Sequence, residues 1–444
     1  MIRVLVIGGG ISGLAAARLA KKRGFEVRIS DRSVIPEETR HTLTSAGIEV
    51  ADGGHLPSHL DQVTRVILSP GVRADHLLCK LAAERGIPME SEIDFALDGY
   101  SGRLVAVTGT NGKSTTVSMT GHILDRCGID VSVGGNLGDP PSDMIARGDL
   151  KSNLVLEISS YQLEQSSPHP AVAAAITSFS NDHVDRHGTL EAYFAAKWKV
   201  FDWVIPGGLC VMTDEVARFA NRFGKIRRQD VRWVVVPGFA HDARAAEFVR
   251  EARVSGRHNE INVEISVQLA AQLTGNLDYP VLARMIEDFR GLPFRCQLLG
   301  TLAGHSVFND SKSTNCESTV AALAGMKSPV VLMMGGKGKG ESYLPVLAWK
   351  QHVAALVCFG ESGQSIADEL SLDLRAAGIQ TTTRRGMREA IDDAVSHARR
   401  LDCGILFSPG CASFDEFRNF EHRGQDFNDA IAAFIEGPPQ RDGN

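Results

Sequence analysis

The sequence predicts an α/β chain of three domains, each a largely parallel sheet wrapped by helices. Three observations predict it. Short apolar runs alternate with helix-length stretches along the whole chain, which is the signature of βαβ units. Glycine-rich turns follow several of those runs, at the strand-to-helix junctions where open α/β sheets take their ligands. Finally, 444 residues are too many for one ordinary core.

Taken in order, residues 2 to 7, I-R-V-L-V-I, read as a strand. Gly8-Gly9-Gly10-Ile11-Ser12-Gly13 follows, then an alanine-rich helix to about Arg23 and a second strand, Glu26 to Ser30, ending at Asp31. Glycine turn, helix and a terminal acid make the dinucleotide fingerprint in its proper setting. The pattern specifies a Rossmann-like unit for a phosphate or ribose without naming the ligand. Glycines serving only helix–strand packing are the alternative. Val66 to Leu68 runs into Ser69-Pro70-Gly71, a second turn at the same sheet edge. Asp98 to Gly102 reads as a linker, so the first domain is 1–98.

The second domain, 99–291, opens on V-A-V-T-G-T-N-G-K-S-T-T, from Val105 to Thr116. An apolar strand, a tight turn on Gly109 and Gly112, and a helix from Lys113 to about Cys127 form a phosphate cradle. Backbone N–H groups and the helix dipole favour the anion, and the lysine reaches the terminal phosphates. Ser114, the hydroxyl beside that lysine, is the Mg²⁺ candidate. Valine stands at 107, where the standard spacing has glycine, so the loop is a variant and a purely structural turn is the alternative. Strand L-V-L-E-I, 154–158, carries Glu157 in an apolar setting, where a carboxylate needs a partner or a metal. Strand 171–177 runs into Asn181-Asp182-His183-Val184-Asp185-Arg186-His187, a site candidate or a solvated loop. The helix expected over 189–204 carries Lys197, on pattern alone an ordinary surface lysine. A further helix runs to about Leu273, with Asn259 and Asn262 three apart on one face.

The third domain, 292–444, alternates strands and helices again, and the alternation predicts a third parallel sheet. Strands are expected at 306–309, 330–334, 355–359 and 404–407, with helices at 364–377 and 387–400. Three stretches rich in anion-binding groups follow strands or sit at the sheet edge: 309–315, 335–340 and 408–415.

The net charge of −6 does not suggest a general nucleic-acid binder. Eight cysteines occur without a CxxC pair, so neither a zinc site nor a disulfide framework is indicated, and a reducing cytoplasm is expected. No opening signal peptide and no membrane-spanning run are expected.

These blocks resemble the Mur ligase family. G-T-N-G-K-S-T, E-I-S-S-Y-Q-L-E (157–164), N-D-H-V-D-R-H (181–187), A-A-K (195–197) and G-R-H-N-E-I-N (256–262) are similar to blocks that the family shares with folylpolyglutamate synthases. N-D-S-K-S-T-N (309–315) and S-P-G-C-A-S-F-D-E-F-R-N-F-E-H-R-G (408–424) resemble its glutamate-adding members. The resemblance implies a Rossmann-like N-terminal domain, a P-loop-type central ATPase domain and a Rossmann-like C-terminal domain. It implies ATP-driven ligation of D-glutamate to UDP-N-acetylmuramoyl-L-alanine through an acyl phosphate, with two Mg²⁺ ions, in a cytoplasmic monomer.

The resemblance also implies roles. Lys113, Glu157, His183 and Lys197 would be catalytic. Thr110, Asn111, Gly112, Lys113, Ser114, Thr115, Asn259, Asn262, Arg295 and Asp310 would hold ATP. Ser114, Glu157, His183 and a carbamoylated Lys197 would serve the metal ions. Ile11, Ser12, Asp31 and Gly71, with Asn136, Ser159, Gln162 and His183, would bind the UDP-linked substrate in place of NAD. Lys312, Thr314, Lys339, Ser413 and Phe420 would bind glutamate. Arg32-Ser33, Phe294 and Lys337 depart from the family pattern. A ligase for another amino acid or L-glutamate, an NAD(P)-dependent oxidoreductase and a P-loop binding or motor protein are the alternatives. The oxidoreductase leaves the phosphate loop unexplained.

Overall fold

The computed structural model describes residues 2–181, 184–236, 257–275, 281–282, 285–286, 289 and 291–436. The chain divides into two compact units, Met1–Glu251 with Glu260–Phe289, and Ala252–Asn259 with Arg290–Asn444.

The first unit contains two parallel sheets. The first has β1 (Arg3–Ile7), β2 (Glu26–Ser30), β3 (Glu49–Ala51), β4 (Arg65–Leu68) and β5 (Met89–Ser91), in the order β3-β2-β1-β4-β5. Successive side chains of a strand alternate between faces. Val4, Val6 and Ile29 accordingly join one apolar cluster, and Leu5, Ile7 and Val66 another.

The second sheet has β6 (Arg103–Thr108), β7 (Val131–Gly135), β8 (Asn153–Glu157), β9 (Ala171–Ile176), β10 (Val204–Thr213) and β11 (Arg232–Val236). Its order is β11-β10-β9-β6-β8-β7. The chain builds β7 and β8 on one side of β6, then crosses to β9, β10 and β11 on the other. This puts a topological switch point at β6 and β9, outside whose carboxyl ends such sheets bind ligands. The helix expected over 189–204 is shorter: Leu190–Trp198 is α-helical, then Lys199–Trp203 tightens into a 3₁₀ turn before β10. Between the two sheets, Arg18 pairs with Asp143 at 2.7 Å, and Glu92 accepts from the Ser142 amide at 2.9 Å.

The second unit holds β12 (Gln297–Leu302), β13 (His305–Asn309), β14 (Val330–Gly335), β15 (Val353–Phe359), β16 (Gln380–Thr383) and β17 (Gly404–Phe407). The order is β12-β13-β17-β14-β15-β16. The expected third parallel sheet is present with one correction at its edge, where β12 runs antiparallel to β13. The connecting turn is Ala303-Gly304, both at positive φ, 49° and 84°, the backbone that suits a two-residue hairpin. Glu436 closes the outer side of β12 by exchanging backbone bonds with Thr301 at 3.1 and 2.8 Å.

Candidate active site

The loop after β6 sits at the switch point and is clamped by β9. Thr110 N–H donates to the Ser178 carbonyl at 3.0 Å, and Asn111 N–H to Ser178 Oγ at 2.8 Å. Thr177 Oγ1 donates to the Asn111 carbonyl at 2.6 Å. The loop needs its glycines. Gly109 has φ +151°, and an added Cβ would lie 2.1 Å from Thr177 Oγ1. Gly112 has φ +85°, and its Cβ would meet Asn262 Oδ1 at 2.4 Å. The helix Lys113–Arg126 starts directly after Gly112, with Ser114 and Thr115 buried in its first turn. Lys113 Nζ donates to the carbonyls of Gly109 and Thr110 at 3.0 and 2.7 Å. Asn262, on the helix Arg257–Thr274, accepts from Thr116 Oγ1 at 3.3 Å. Asn259 lies on the same helix and is buried.

Glu157 ends β8, beside Val107 of β6 and Gly135 of β7. Asn136 Nδ2 donates to its Oε1 at 2.8 Å. The carboxylate is 1% exposed, and its Oε2 is buried with no hydrogen-bond partner among the described residues. An orphaned buried carboxylate oxygen is costly, and it is a hard ligand of the kind Mg²⁺ takes. The residues present therefore fit the ion.

Lys197 is not the surface lysine that its pattern alone indicates. It is 2% exposed, its Nζ donates to the Gly109 carbonyl at 2.6 Å, and the ammonium lies 4.5 Å from the centre of the Tyr193 ring. Tyr193 OH in turn contacts Thr110 Oγ1 at 3.3 Å. The structure thus brings Thr110, Asn111, Gly112, Lys113, Lys197 and Asn262 onto one loop. His183 lies outside the described residues. Three residues beyond it, on the described helix Val184–His187, Arg186 donates to the Gly71 and Val72 carbonyls at 3.3 Å. It thereby ties the first sheet's loop to the second sheet.

At the first sheet, Asp31 Oδ2 accepts from Gly9 N–H at 2.5 Å and Oδ1 from Ser33 N–H at 2.7 Å. Ser69 Oγ donates to the Gly8 carbonyl at 3.0 Å. Ile11 is exposed and Ser12 half-buried at the start of the helix Ile11–Lys22. Gly71 is exposed on the loop after β4. Ser159 and Gln162 cap the helix Ser160–Gln165 reciprocally, with bonds of 3.2 and 2.9 Å between side chain and backbone.

In the second unit, Asp310 is buried and accepts from Ser313 Oγ at 2.5 Å, Ser408 Oγ at 2.8 Å and Cys296 N–H at 3.0 Å. Burial lifts its pKa to about 6 against these bonds and the nearby Arg295. Lys312 Nζ sits 3.7 Å from the centre of the Phe420 ring. Lys337 and Ala412 pair through their backbones at 2.8 and 3.0 Å, next to the buried Ser413. Thr314 is half-buried and Lys339 exposed, and no bond among the described residues joins either to the other glutamate candidates.

The residue that organises these loops is one the sequence reading passed over. Arg423 is fully buried. It donates to Ser311 Oγ at 3.0 Å and the Ser311 carbonyl at 2.7 Å, and to the Cys411 and Ala412 carbonyls at 2.9 and 3.3 Å. Desolvation lowers its pKa to about 10. One guanidinium fork thereby ties the 309–315 loop, the 408–415 loop and the helix Phe420–Ile431 together.

A profile of the Mur ligase middle domain matches residues 107–278, and one of the MurD-like N-terminal domain matches residues 2–91. The UDP-N-acetylmuramoylalanine–D-glutamate ligase of Shouchella clausii is 32% identical, over 98% of this chain and 97% of its own length. The chain belongs to the UDP-N-acetylmuramoylalanine–D-glutamate ligase family. The relative from Ralstonia nicotianae is also 32% identical, over 97% of this chain and 96% of its own. Among solved Mur ligases, the UDP-N-acetylmuramate–alanine ligase of Thermotoga maritima superposes with TM-score 0.59 at 18% identity, over 98% of this chain and all of that one. MurF of Acinetobacter baumannii superposes with TM-score 0.57 at 14% identity, over 95% of this chain and 93% of that one. These likenesses bear out the three-domain α/β fold of the Mur ligases. Among the described residues no helix is long and apolar enough to cross a membrane, and all eight cysteines are free.

Proposed function

We propose that this Mur ligase joins D-glutamate to UDP-N-acetylmuramoyl-L-alanine, using ATP, as a step of peptidoglycan precursor synthesis. The observation that supports it most is the phosphate loop beside the orphaned carboxylate oxygen of Glu157, in a chain alike over its whole length to D-glutamate ligases. A carboxylate is a poor electrophile, so one of its oxygens must become a leaving group. The substrate carboxylate takes the γ-phosphoryl group of ATP, the bond to the β-phosphate breaks and ADP departs. The amine of D-glutamate then attacks the carbonyl carbon, the C–O bond to phosphate breaks, and the amine loses its proton.

Thr110 to Thr115 would cradle the phosphates, with Lys113 screening the charge that develops there. Ser114 and Glu157 would hold one Mg²⁺, with His183 helping to hold a second. The ions supply charge neutralisation between the two anions. Lys197 would add CO₂ and release a proton, which turns a cation into an anionic oxygen ligand. Asn259, Asn262, Arg295 and Asp310 are assigned to the nucleotide. Residues 1–98 would bind the UDP moiety, 99–291 ATP, and 292–444 glutamate. We assign the protein to the cytoplasm as a monomer without a nucleic-acid partner.

The test is phosphate release with UDP-N-acetylmuramoyl-L-alanine and a panel of amino acids that includes both glutamate enantiomers. D-Glutamate alone should elicit turnover. Release with another amino acid only, or with none, would overturn the reading.

A further inference from the structure

The loop after β4 belongs to the first sheet but is held from the second. Arg186 Nη1 donates to the Gly71 carbonyl and Nη2 to the Val72 carbonyl, both at 3.3 Å. Gln165 Nε2 donates to the same Val72 carbonyl. Within the first sheet the loop is tied at its base, where Ser69 N–H donates to the Ile7 carbonyl and Ser69 Oγ to the Gly8 carbonyl, both at 3.0 Å.

Arg186 is one end of a longer column. Its side chain is 11% exposed, and Glu164 Oε2 accepts from its Nη2 at 3.3 Å. The guanidinium carbon lies 5.1 Å from the centre of the Tyr161 ring. Tyr161 packs on His187 at 5.6 Å and 37°, and His187 on Tyr193 at 5.2 Å and 39°. Tyr193 has the Lys197 ammonium 4.5 Å from its ring centre, and its OH meets Thr110 Oγ1 at 3.3 Å. Rings at these separations attract one another, and a cation is drawn to a ring beside it. His187 Nε2 also lies 3.0 Å from Ser160 Oγ, a bond that fixes the middle ring. Three rings with a cation at each end thus run from the loop after β4 to the phosphate loop.

Other contacts already dock the two sheets. Arg18 pairs with Asp143, Glu92 accepts from the Ser142 amide, and Asp94 meets His169 at 2.8 Å. None of these residues lies on either loop. The column therefore adds something separate from docking, namely the position of one loop against the other.

Phosphoryl transfer depends on that position. The carboxylate oxygen must approach the γ-phosphorus in line, and the two reactants would be held by loops of different sheets. A misplacement of about 1 Å costs on the order of a hundredfold in rate. We propose that Arg186 and His187 are positioning residues, which set the loop after β4 against the phosphate loop through this column of rings. The proposal rests on the reading that the first loop takes the UDP-linked substrate and the second ATP. A guanidinium fork suits the task because it spans two successive carbonyls, which one ammonium cannot do as well.

The test is initial-rate kinetics on full-length variants, with folding followed by circular dichroism and melting. Arg186→Met and His187→Ala should each lower kcat about ten- to a hundredfold, while the KM values for ATP and glutamate hold. Calorimetry should still show both variants binding the UDP-linked substrate and a non-hydrolysable ATP analogue. A merely structural role would lower the Tm and leave the rate per folded molecule unchanged. Arg186→Lys should recover part of the rate. His187→Phe, which keeps a ring, should recover most of what His187→Ala loses. Combining Arg186→Met with His187→Ala should cost no more than the worse single change, because either one breaks the same column. A wild-type rate in either single variant, losses that multiply in the double variant, or a loss carried by the KM for ATP or glutamate overturns the proposal. If Arg186→Met does not fold, Arg186→Lys decides in its place, and a wild-type kcat there overturns the proposal. A wild type that ligates no D-glutamate overturns the ligase reading. A working wild type whose variants keep its kcat overturns this proposal alone.

Discussion

Lys113 and Lys197 donate to the same oxygen, the carbonyl of Gly109, at 3.0 and 2.6 Å. Two ammonium groups on one acceptor concentrate positive charge at the phosphate loop. An anionic carbamate on Lys197 would answer the charge of Lys113. Lys197→Ala is expected to lose at least about a hundredfold in kcat, the scale of one preorganised electrostatic group. Added short carboxylates should restore part of it. Amide formation with and without acetate, and NMR of the protein in ¹³C-labelled bicarbonate, check this. An unlabelled lysine and no rescue would sink the carbamate.

Glu157 gives a prediction about metal without turnover. A ligand that binds only the folded state raises its melting temperature by mass action. Mg²⁺ titrated into the nucleotide-free protein should raise the Tm of the wild type. Glu157→Gln keeps the bond from Asn136 and removes the charge, so its Tm should not respond. Equal responses in calorimetry would remove Glu157 from the metal site.

Glu92 predicts how stability varies with pH. It is 1% exposed, its Oε2 has no hydrogen-bond partner among the described residues, and burial raises its pKa from 4.5 to about 7. Between these values the native chain keeps a proton that the unfolded chain has released. Stability should therefore be full at lower pH and fall as pH rises through the window, by on the order of 3 kcal/mol. Glu92→Gln cannot titrate and should flatten that slope. Urea midpoints at acid and at mildly alkaline pH, in both proteins, would show whether it does.

Arg423 should matter to folding and to glutamate together. Arg423→Met leaves the carbonyls of Ser311 and Cys411 without their donor, while that of Ala412 keeps the Lys337 N–H. Each such buried group costs roughly 1–3 kcal/mol, so a loss of about 2–4 kcal/mol is expected after relaxation. The KM for D-glutamate should rise well above the change in the KM for ATP. Arg423→Lys, with one ammonium in place of a fork, should recover stability more than KM. Denaturation and initial-rate kinetics on the three proteins decide it, and equal changes in both KM values would leave Arg423 a purely structural residue.

The strands and glycine loops were legible because parallel strands buried on both faces read as unbroken apolar runs, as in 154–158. Glycines at 109 and 112 announced a loop that only they could form. The hairpin into β13 was not legible, because Ala303-Gly304 lacks the asparagine or aspartate that usually marks such a turn. Lys197 was misread on pattern because an alanine-rich helix does not say which face meets the phosphate loop. Arg423 was hidden for a related reason. Arginines are mostly exposed, and nothing local shows that two loops will lend this one their carbonyls.

The pairing of Thr301 with Glu436 has a consequence for handling the protein. β12 is the outermost strand of its sheet, and a bare strand edge recruits other chains. Gly300 lets the stopper seat, since a Cβ there would lie 2.1 Å from the Glu436 carbonyl. A truncation that removes Glu436, or a bulky side chain at Gly300, would uncork that edge. Such proteins should self-associate on concentration and form filaments on storage while their turnover per folded molecule stays the same.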